Sequence, residues 1–221
     1  VEAFGDRVDL GLHPLELVEA AIARAERVQP EINAVAERLY DDARKRAAKV
    51  DRSAPLAGVP FALMIGVKRL INPALKLAGD GVGKADIRAV ERICSENPEA
   101  RFLVTMLSRE NQHELCIAAR KLPNLMPFGC WWFLNDPSLI DEISRMRLEL
   151  LGLSMIPQHS DARILDQLIY KWRHSRMVLH SVLLDKYSDL VTTGWRVKEA
   201  DLQRDVERLL SANFKQFVGL K

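Results

Sequence analysis

Along the first fifty positions apolar residues recur at helical spacing, and from about residue 59 they gather into short runs separated by amphipathic stretches. Leu15, Val18, Ile22 and Ala25 share one face of a helix that Pro14 opens in a first-turn position, with Glu16 and Glu19 toward its positive end. After Val28-Gln29-Pro30 the pattern restarts. Ile32, Val35, Ala36, Leu39, Ala43 and Ala47 fall on one face and Asp41, Asp42, Arg44 and Lys45 on the other, which predicts an antiparallel helical hairpin over residues 12–52. A Ser-Ala-Pro turn at 53–55 leads into the apolar run 59–67, with Pro60 near its start.

Four short runs then read as strands: 61–67, 102–106, 125–130 and 153–157. Between them fall helices carrying Ile87, Val90 and Ile93; Leu115, Cys116 and Ala119; and Leu139, Ile143, Met146 and Leu150. A long helix with Leu165, Leu168, Ile169, Trp172, Leu179 and Leu183 follows, and a last one carries Leu202, Val206, Leu209, Leu210, Phe214 and Phe217. Strands alternating with helices predict an α/β fold with a parallel sheet. Four βα units are half of an eightfold barrel, and a parallel half-sheet does not close on itself.

Composition narrows the function classes. Of 221 residues, 48% are hydrophobic, enough for a core, and 32 Lys and Arg against 30 Asp and Glu leave a net charge of +2. Neither sign collects in a block, so no nucleic acid or acidic membrane partner is expected. No apolar stretch approaches the roughly 20 residues that span a bilayer, and Val1 to Asp9 do not read as a signal peptide. Cys94, Cys116 and Cys130 sit in apolar settings at no metal-ligand spacing and read as core thiols in a reducing cytoplasm.

Longer stretches of text carry a resemblance. Met64-Ile65-Gly66-Val67-Lys68-Arg69, Leu103-Val104-Thr105-Met106-Leu107-Ser108-Arg109-Glu110-Asn111-Gln112-His113-Glu114-Leu115, Phe128-Gly129-Cys130-Trp131-Trp132-Phe133 and Ile156-Pro157-Gln158-His159-Ser160-Asp161-Ala162-Arg163 are similar to the end of the uronate (glucuronate) isomerases. Residues 64–219 are tiled by such matches. The resemblance implies the C-terminal half of an amidohydrolase-like (β/α)8 TIM barrel, four βα units preceded by the N-terminal α-helical hairpin. Residues 10–63 resemble another family: Leu15-Glu16-Leu17-Val18-Glu19-Ala20, Gln29-Pro30-Glu31-Ile32-Asn33-Ala34-Val35 and Pro55-Leu56-Ala57-Gly58-Val59-Pro60-Phe61-Ala62-Leu63 are similar to the first hairpin and strand of amidase-signature hydrolases. In that family the strand leads into a catalytic lysine, whereas Met64 follows here, and the glycine/serine-rich segment with the nucleophile is absent. Without a Ser-Ser-Lys triad nothing activates a hydroxyl. The two texts predict a join near residue 63, between an amidase-like segment 1–63 and an isomerase-like half barrel 64–221, as in a chimera.

Reactive groups in such folds lie at the carboxyl ends of the strands. Lys68 and Arg69 follow the first; Ser108, Arg109, Glu110, Asn111 and His113 the second; Trp131 and Trp132 the third; His159, Ser160, Asp161 and Arg163 the fourth. A carboxylate at a strand end can ligate a divalent metal or move a proton, and an arginine two residues on can fork a sugar acid's carboxylate. By resemblance, Asp161 matches the isomerases' metal-binding aspartate and Arg163 their carboxylate-binding arginine. On spacing alone, Asp161 as a helix cap with Arg163 on the first turn fits as well. Trp131, Trp132 and Arg109 complete the expected sugar site, although at least one of the indoles reads better as core or surface packing. His113 reads as helix packing, His174 and His180 lie on different helix faces, and His13 stands alone. Gly79-Asp80-Gly81-Val82-Gly83-Lys84 fails the phosphate-loop pattern at Ala78 and Ala85 and reads as a flexible loop. The charges at 114–120 and 145–149 read as solvated helix faces.

The resemblance implies aldose–ketose isomerisation of glucuronate to fructuronate, an intramolecular oxidoreduction of carbohydrate catabolism. It also implies a divalent metal, zinc before others, on Asp161 with His159 as a second ligand. The His-x-His pair of that family is nowhere in the sequence, so the ion would be weakly held. The expectation is therefore an incomplete or chimeric copy of a uronate isomerase. The alternative is a catalytically inactive half barrel that self-associates as a homodimer through its open edge. A third is an amidase-signature hydrolase lacking its triad.

Overall fold

The computed structural model describes residues 14–32, 40–48, 60–159, 162 and 164–220. The chain divides into two compact units, Val1–Ala57 and Gly58–Lys221. Positions 1–9, His13, positions 33–39 and positions 53–55 lie outside the described residues.

In the first unit the expected hairpin helices are α1 (Pro14–Ile32) and α2 (Tyr40–Ala47). Arg44 bridges them, donating from Nε to Glu19 at 2.6 Å and from Nη2 to its second oxygen at 3.1 Å. α1 runs through Pro30, where a restart was expected. A proline so near the end forfeits one backbone bond without an interior to break, and the helix stops two residues later.

The second unit follows in the order β1 (Phe61–Ile65), β2 (Val67–Lys68), β3 (Gly81–Val82), α3 (Arg88–Glu96), β4 (Phe102–Met106), α4 (Gln112–Lys121), β5 (Leu125–Pro127), α5 (Pro137–Leu151), α6 (Leu165–Thr192), α7 (Glu199–Glu207) and α8 (Asn213–Val218). A π-helical turn, Arg208–Ala212, joins the last two. The fold is mixed α/β: β1, β4 and β5 form a parallel sheet in that order, with Phe61 opposite Phe102 and Phe102 opposite Leu125. β4 is buried along its whole length, as expected of a continuous apolar run covered on both faces. Phe102, Val104 and Met106 pack against Val90 and Cys94 of α3 and Leu115 of α4. Leu103 points the other way, with Phe128, Ile156 and Phe217 of α8.

The first run breaks at Gly66 (φ 106°), and its tail becomes β2, paired antiparallel with β3. The third run forms ladder pairs only to Pro127, and the fourth strand contracts to one parallel bridge, Ile156 to Phe128. Met155 there turns into a cluster with Leu179, Leu183 and Leu209 rather than extending a strand. On α5 the buried stripe is Ile140, Ile143, Ser144 and Arg147: Ile143 is buried as expected, whereas Leu139, Met146 and Leu150 are only partly buried. On α6 Leu179 and Leu183 are buried, but Leu165 is 74% and Ile169 67% exposed. In the last helices Leu209 and Phe217 are buried, while Val206, Leu210 and Phe214 are exposed.

Candidate functional site at the carboxyl edge of the sheet

Parallel register sets the strand exits side by side: Ile65 lies opposite Met106 in the ladder, and Phe128 bridges Ile156. At the first exit Arg69 is ion-paired with buried Asp80, whose other oxygen accepts the Leu70 N–H at 3.0 Å. Those two contacts, the backbone one first, hold the Asp80 carboxyl below its ordinary range. They tie β2 to β3, and the Gly83 N–H donates to the Gly66 carbonyl at 3.0 Å. The glycine run expected as a flexible loop is thus anchored and contributes the two-residue strand β3. Lys68 remains exposed.

At the second exit the Ser108 hydroxyl donates to Glu110, which lowers the Glu110 pKa. Arg109 is exposed but already paired: its Nε and Nη2 fork Glu142 of α5 at 3.0–3.1 Å. Asn111 is buried and holds both backbone groups of Ala85, at 3.0 and 2.8 Å. Beside it, the Gln112 amide donates to the carbonyls of Met106 at 2.7 Å and Ser108 at 3.1 Å, closing the end of β4. His113 is exposed on α4 rather than packed.

The third exit brings the two expected indoles together. Trp131 is buried, Trp132 is partly exposed, and their ring centroids lie 6.0 Å apart at 52°. Trp132 adopts a positive φ of 47°, strained for a bulky side chain, and stacks on Phe133 at 4.6 Å. Gly129, with φ 67°, precedes them, and its N–H donates to the Ile156 carbonyl at 2.7 Å. At the fourth exit the His159 ring lies 4.7 Å from that of Phe128 and packs over the α-carbon of Gly129. Next to it the buried Gln158 reaches a cavity of about 10 Å³ that also touches Ser144 and Ser175, space for one water rather than for a sugar. Ser160, Asp161 and Arg163 lie outside the described residues.

Arg147 is the group that reading the sequence missed. Expected on a solvated face, it is 1% exposed, donating from Nη1 to the Gly129 carbonyl at 2.9 Å and from Nη2 to Gln112 Oε1 at 3.0 Å. The signal was present. Arg147 continues the series Ile140, Ile143 and Ser144 at helical spacing.

Against these features stand the comparisons with known proteins. Over 99% of its length the chain matches a solved uronate isomerase from Bacillus halodurans C-125, with 46% identity and a TM-score of 0.74. The chain resembles the uronate isomerases. A uronate isomerase structure from Thermotoga maritima shares the fold over 96% of the chain, with a TM-score of 0.64 and 15% identity. The chain spans about half the length of these uronate isomerases, 53% and 47%. A family model described as Amidase matches residues 16–66, and no curated protein matches.

Among the described residues no group of three or more His, Cys, Asp and Glu side chains could hold a metal ion. The described donors at this edge therefore do not fit a tightly held divalent cation. Among the described residues no helix is long and apolar enough to cross a membrane.

Proposed function

We propose that the chain serves aldose–ketose isomerisation of a uronic acid, of the glucuronate-to-fructuronate type, at the carboxyl edge of a sheet belonging to a (β/α)8 barrel. The 46% identity to a uronate isomerase across almost the whole chain carries this reading. In the reaction the C2–H bond breaks, the proton passes to a base, and the carbonyl oxygen at C1 is protonated to give an enediol. A proton returned to C1 while the C2 hydroxyl gives up its own leaves the ketone at C2, with no net change in protons and no external oxidant. Asp161 is the proposed proton carrier and Arg163 the fork for the C6 carboxylate. Trp131 and Trp132 offer indole faces to the sugar's C–H surface, and the exposed edge of Trp132 supports that role. Arg109 would reach substrate by exchanging Glu142 for a substrate carboxylate, both being planar anions that accept the same fork. Residues 1–63 form a separate amidase-like segment in this reading. Three buried, unpaired thiols support a reducing, cytoplasmic setting.

The test is turnover of D-glucuronate by the purified chain, with zinc, with manganese and with chelator, and with Asp161→Asn. Ketose formation that D161N abolishes is the expected result. Absence of turnover from a folded chain, or turnover that D161N leaves intact, would overturn the assignment.

A second reading, self-association without turnover, is favoured by one observation. Among the described residues β1 pairs only with β4, and Phe61 and Met64 on it are 59% and 45% exposed. An apolar strand edge of this kind favours pairing with another copy. A monomer mass by sedimentation at micromolar concentration would refute it.

A further inference from the structure

We propose that Arg147 is the positioning residue for the Trp131–Trp132 pair, acting through the carbonyl of Gly129. The inference deepens the proposed function, since it rests on those indoles lining the sugar site. Its starting point is a guanidinium 1% exposed on α5, against which no carboxylate is paired among the described residues. Withdrawing a guanidinium from water without an anion is costly, so its hydrogen bonds show what the buried charge accomplishes. Its partners are the neutral oxygens of Gly129 and Gln112, at 2.9 and 3.0 Å.

Those partners belong to two adjacent strand exits. Parallel pairing stops at the bridge between Phe128 and Ile156. Gly129 still gives its N–H to Ile156, but its φ of 67° turns the chain away from the sheet. A buried carbonyl there needs a donor, and Arg147 supplies it. The other arm of the guanidinium fixes the Gln112 oxygen while the Gln112 amide holds the carbonyls of Met106 and Ser108. One planar cation therefore joins the ends of β4 and β5, which a lysine's single ammonium would match poorly. Two residues beyond the held carbonyl is Trp131, and the next is Trp132 with its strained φ of 47°. A conformation of that kind persists where its surroundings impose it: the Trp131 and Trp132 carbonyls accept the Leu134 and Asn135 N–H groups at 3.0 Å on the far side, and Arg147 holds the chain on the near side.

The indole pair reports on itself. Two rings 6.0 Å apart and tilted by 52° couple as an exciton in circular dichroism. Trp132→Phe in the otherwise unchanged chain assigns that couplet to the pair. Arg147→Met keeps the helix and most of the volume but removes the donors; Arg147→Lys keeps the charge and gives up the fork. The expected result is loss of the couplet in R147M, partial loss in R147K, and D-glucuronate turnover lowered about 100-fold in kcat with little change in KM. A merely structural arginine would lower the unfolding midpoint and leave the couplet and kcat at their wild-type values, which would overturn the proposal. If R147M does not fold, a folded R147K with the full wild-type couplet overturns it equally. Should the wild-type chain not act on D-glucuronate at all, the isomerase reading fails while loss of the couplet still supports the positioning role.

Discussion

Replacing Gly129 with alanine tests the geometry of the third and fourth exits directly. A Cβ on Gly129 would sit 1.9 Å from His159 Cδ2, 2.8 Å from Cγ and 2.9 Å from Nε2, whereas real Cβ contacts do not fall under 3.0 Å. Because Cγ is among the overlapped atoms, turning the ring in place is not enough, and the imidazole must swing about its first side-chain bond. An alanine at a left-handed φ costs about 1–2 kcal/mol. Driving the ring from its rotamer adds about 0.5–1.5 kcal/mol. Losing its contact with Phe128 at 4.7 Å adds about 0.5–1.5 kcal/mol. Gly129→Ala is therefore expected to destabilise the chain by about 2–5 kcal/mol. Gly219→Ala is the control: Gly219 has φ 77°, but its added Cβ would meet nothing nearer than Arg101 Nη2 at 3.6 Å. It should show the backbone cost alone, about 1–2 kcal/mol. Urea unfolding followed by circular dichroism gives both numbers at unchanged slope, and the His159 ring-proton resonance reports whether the imidazole has moved. Equal losses in the two variants, with the His159 resonance unmoved, would refute the proposed packing of that ring on Gly129.

The second unit carries four further expected outcomes. The buried Asn124 amide donates to the carbonyls of Cys94, Asn97 and Ala100 at 2.9–3.0 Å, closing the end of α3 onto the start of β4. Asn124→Ala should cost about 2–3 kcal/mol in urea unfolding, and a loss under about 1 kcal/mol would show those carbonyls to be satisfied otherwise. Asp80 titrates below its ordinary value of 3.8, so the stability it contributes is complete above about pH 4 and is lost as the pH falls through its lower folded value. Melting the chain between about pH 6 and about pH 2 should give a shallower acid decline for Asp80→Asn than for the wild type; parallel curves would contradict the Arg69–Asp80 contact. Burial pushes the Cys94 thiol up to about 11 and raises Cys116 and Cys130 as well. A thiol reagent near neutral pH should thus label the native chain no faster than it unfolds, and rapid labelling would count against the core. The same thiols ionise first in the unfolded chain, so stability should fall as the pH climbs from about 9 towards 11.

Local pattern determined a good part of this molecule. The run Phe102-Leu103-Val104-Thr105-Met106 is a strand with the boundaries its apolar continuity predicts, because both faces of a central parallel strand are covered and no alternation is needed. The helices after each run were equally legible, since a 3.6-residue period needs no knowledge of the partner. The candidate site was legible in its address, the strand exits, and in the Trp131–Trp132 pair. Tertiary structure decided the rest. The β2–β3 hairpin has two residues per strand, too few to show a period, and is held by Arg69 and Asp80 reaching across eleven positions. The fourth strand shrank to a bridge because Met155 found a better apolar partner in α6 and the turn after α7 than in a ladder. Arg109 looked available until Glu142, thirty-three residues on, took its fork. Arg147 shows the physical reason most plainly. Helical spacing places it in line with Ile140 and Ile143, but its charge argues for water, and the carbonyl of Gly129, eighteen residues earlier, resolves the conflict in favour of burial. Periodicity says which residues share a face; only the packed chain says what that face meets.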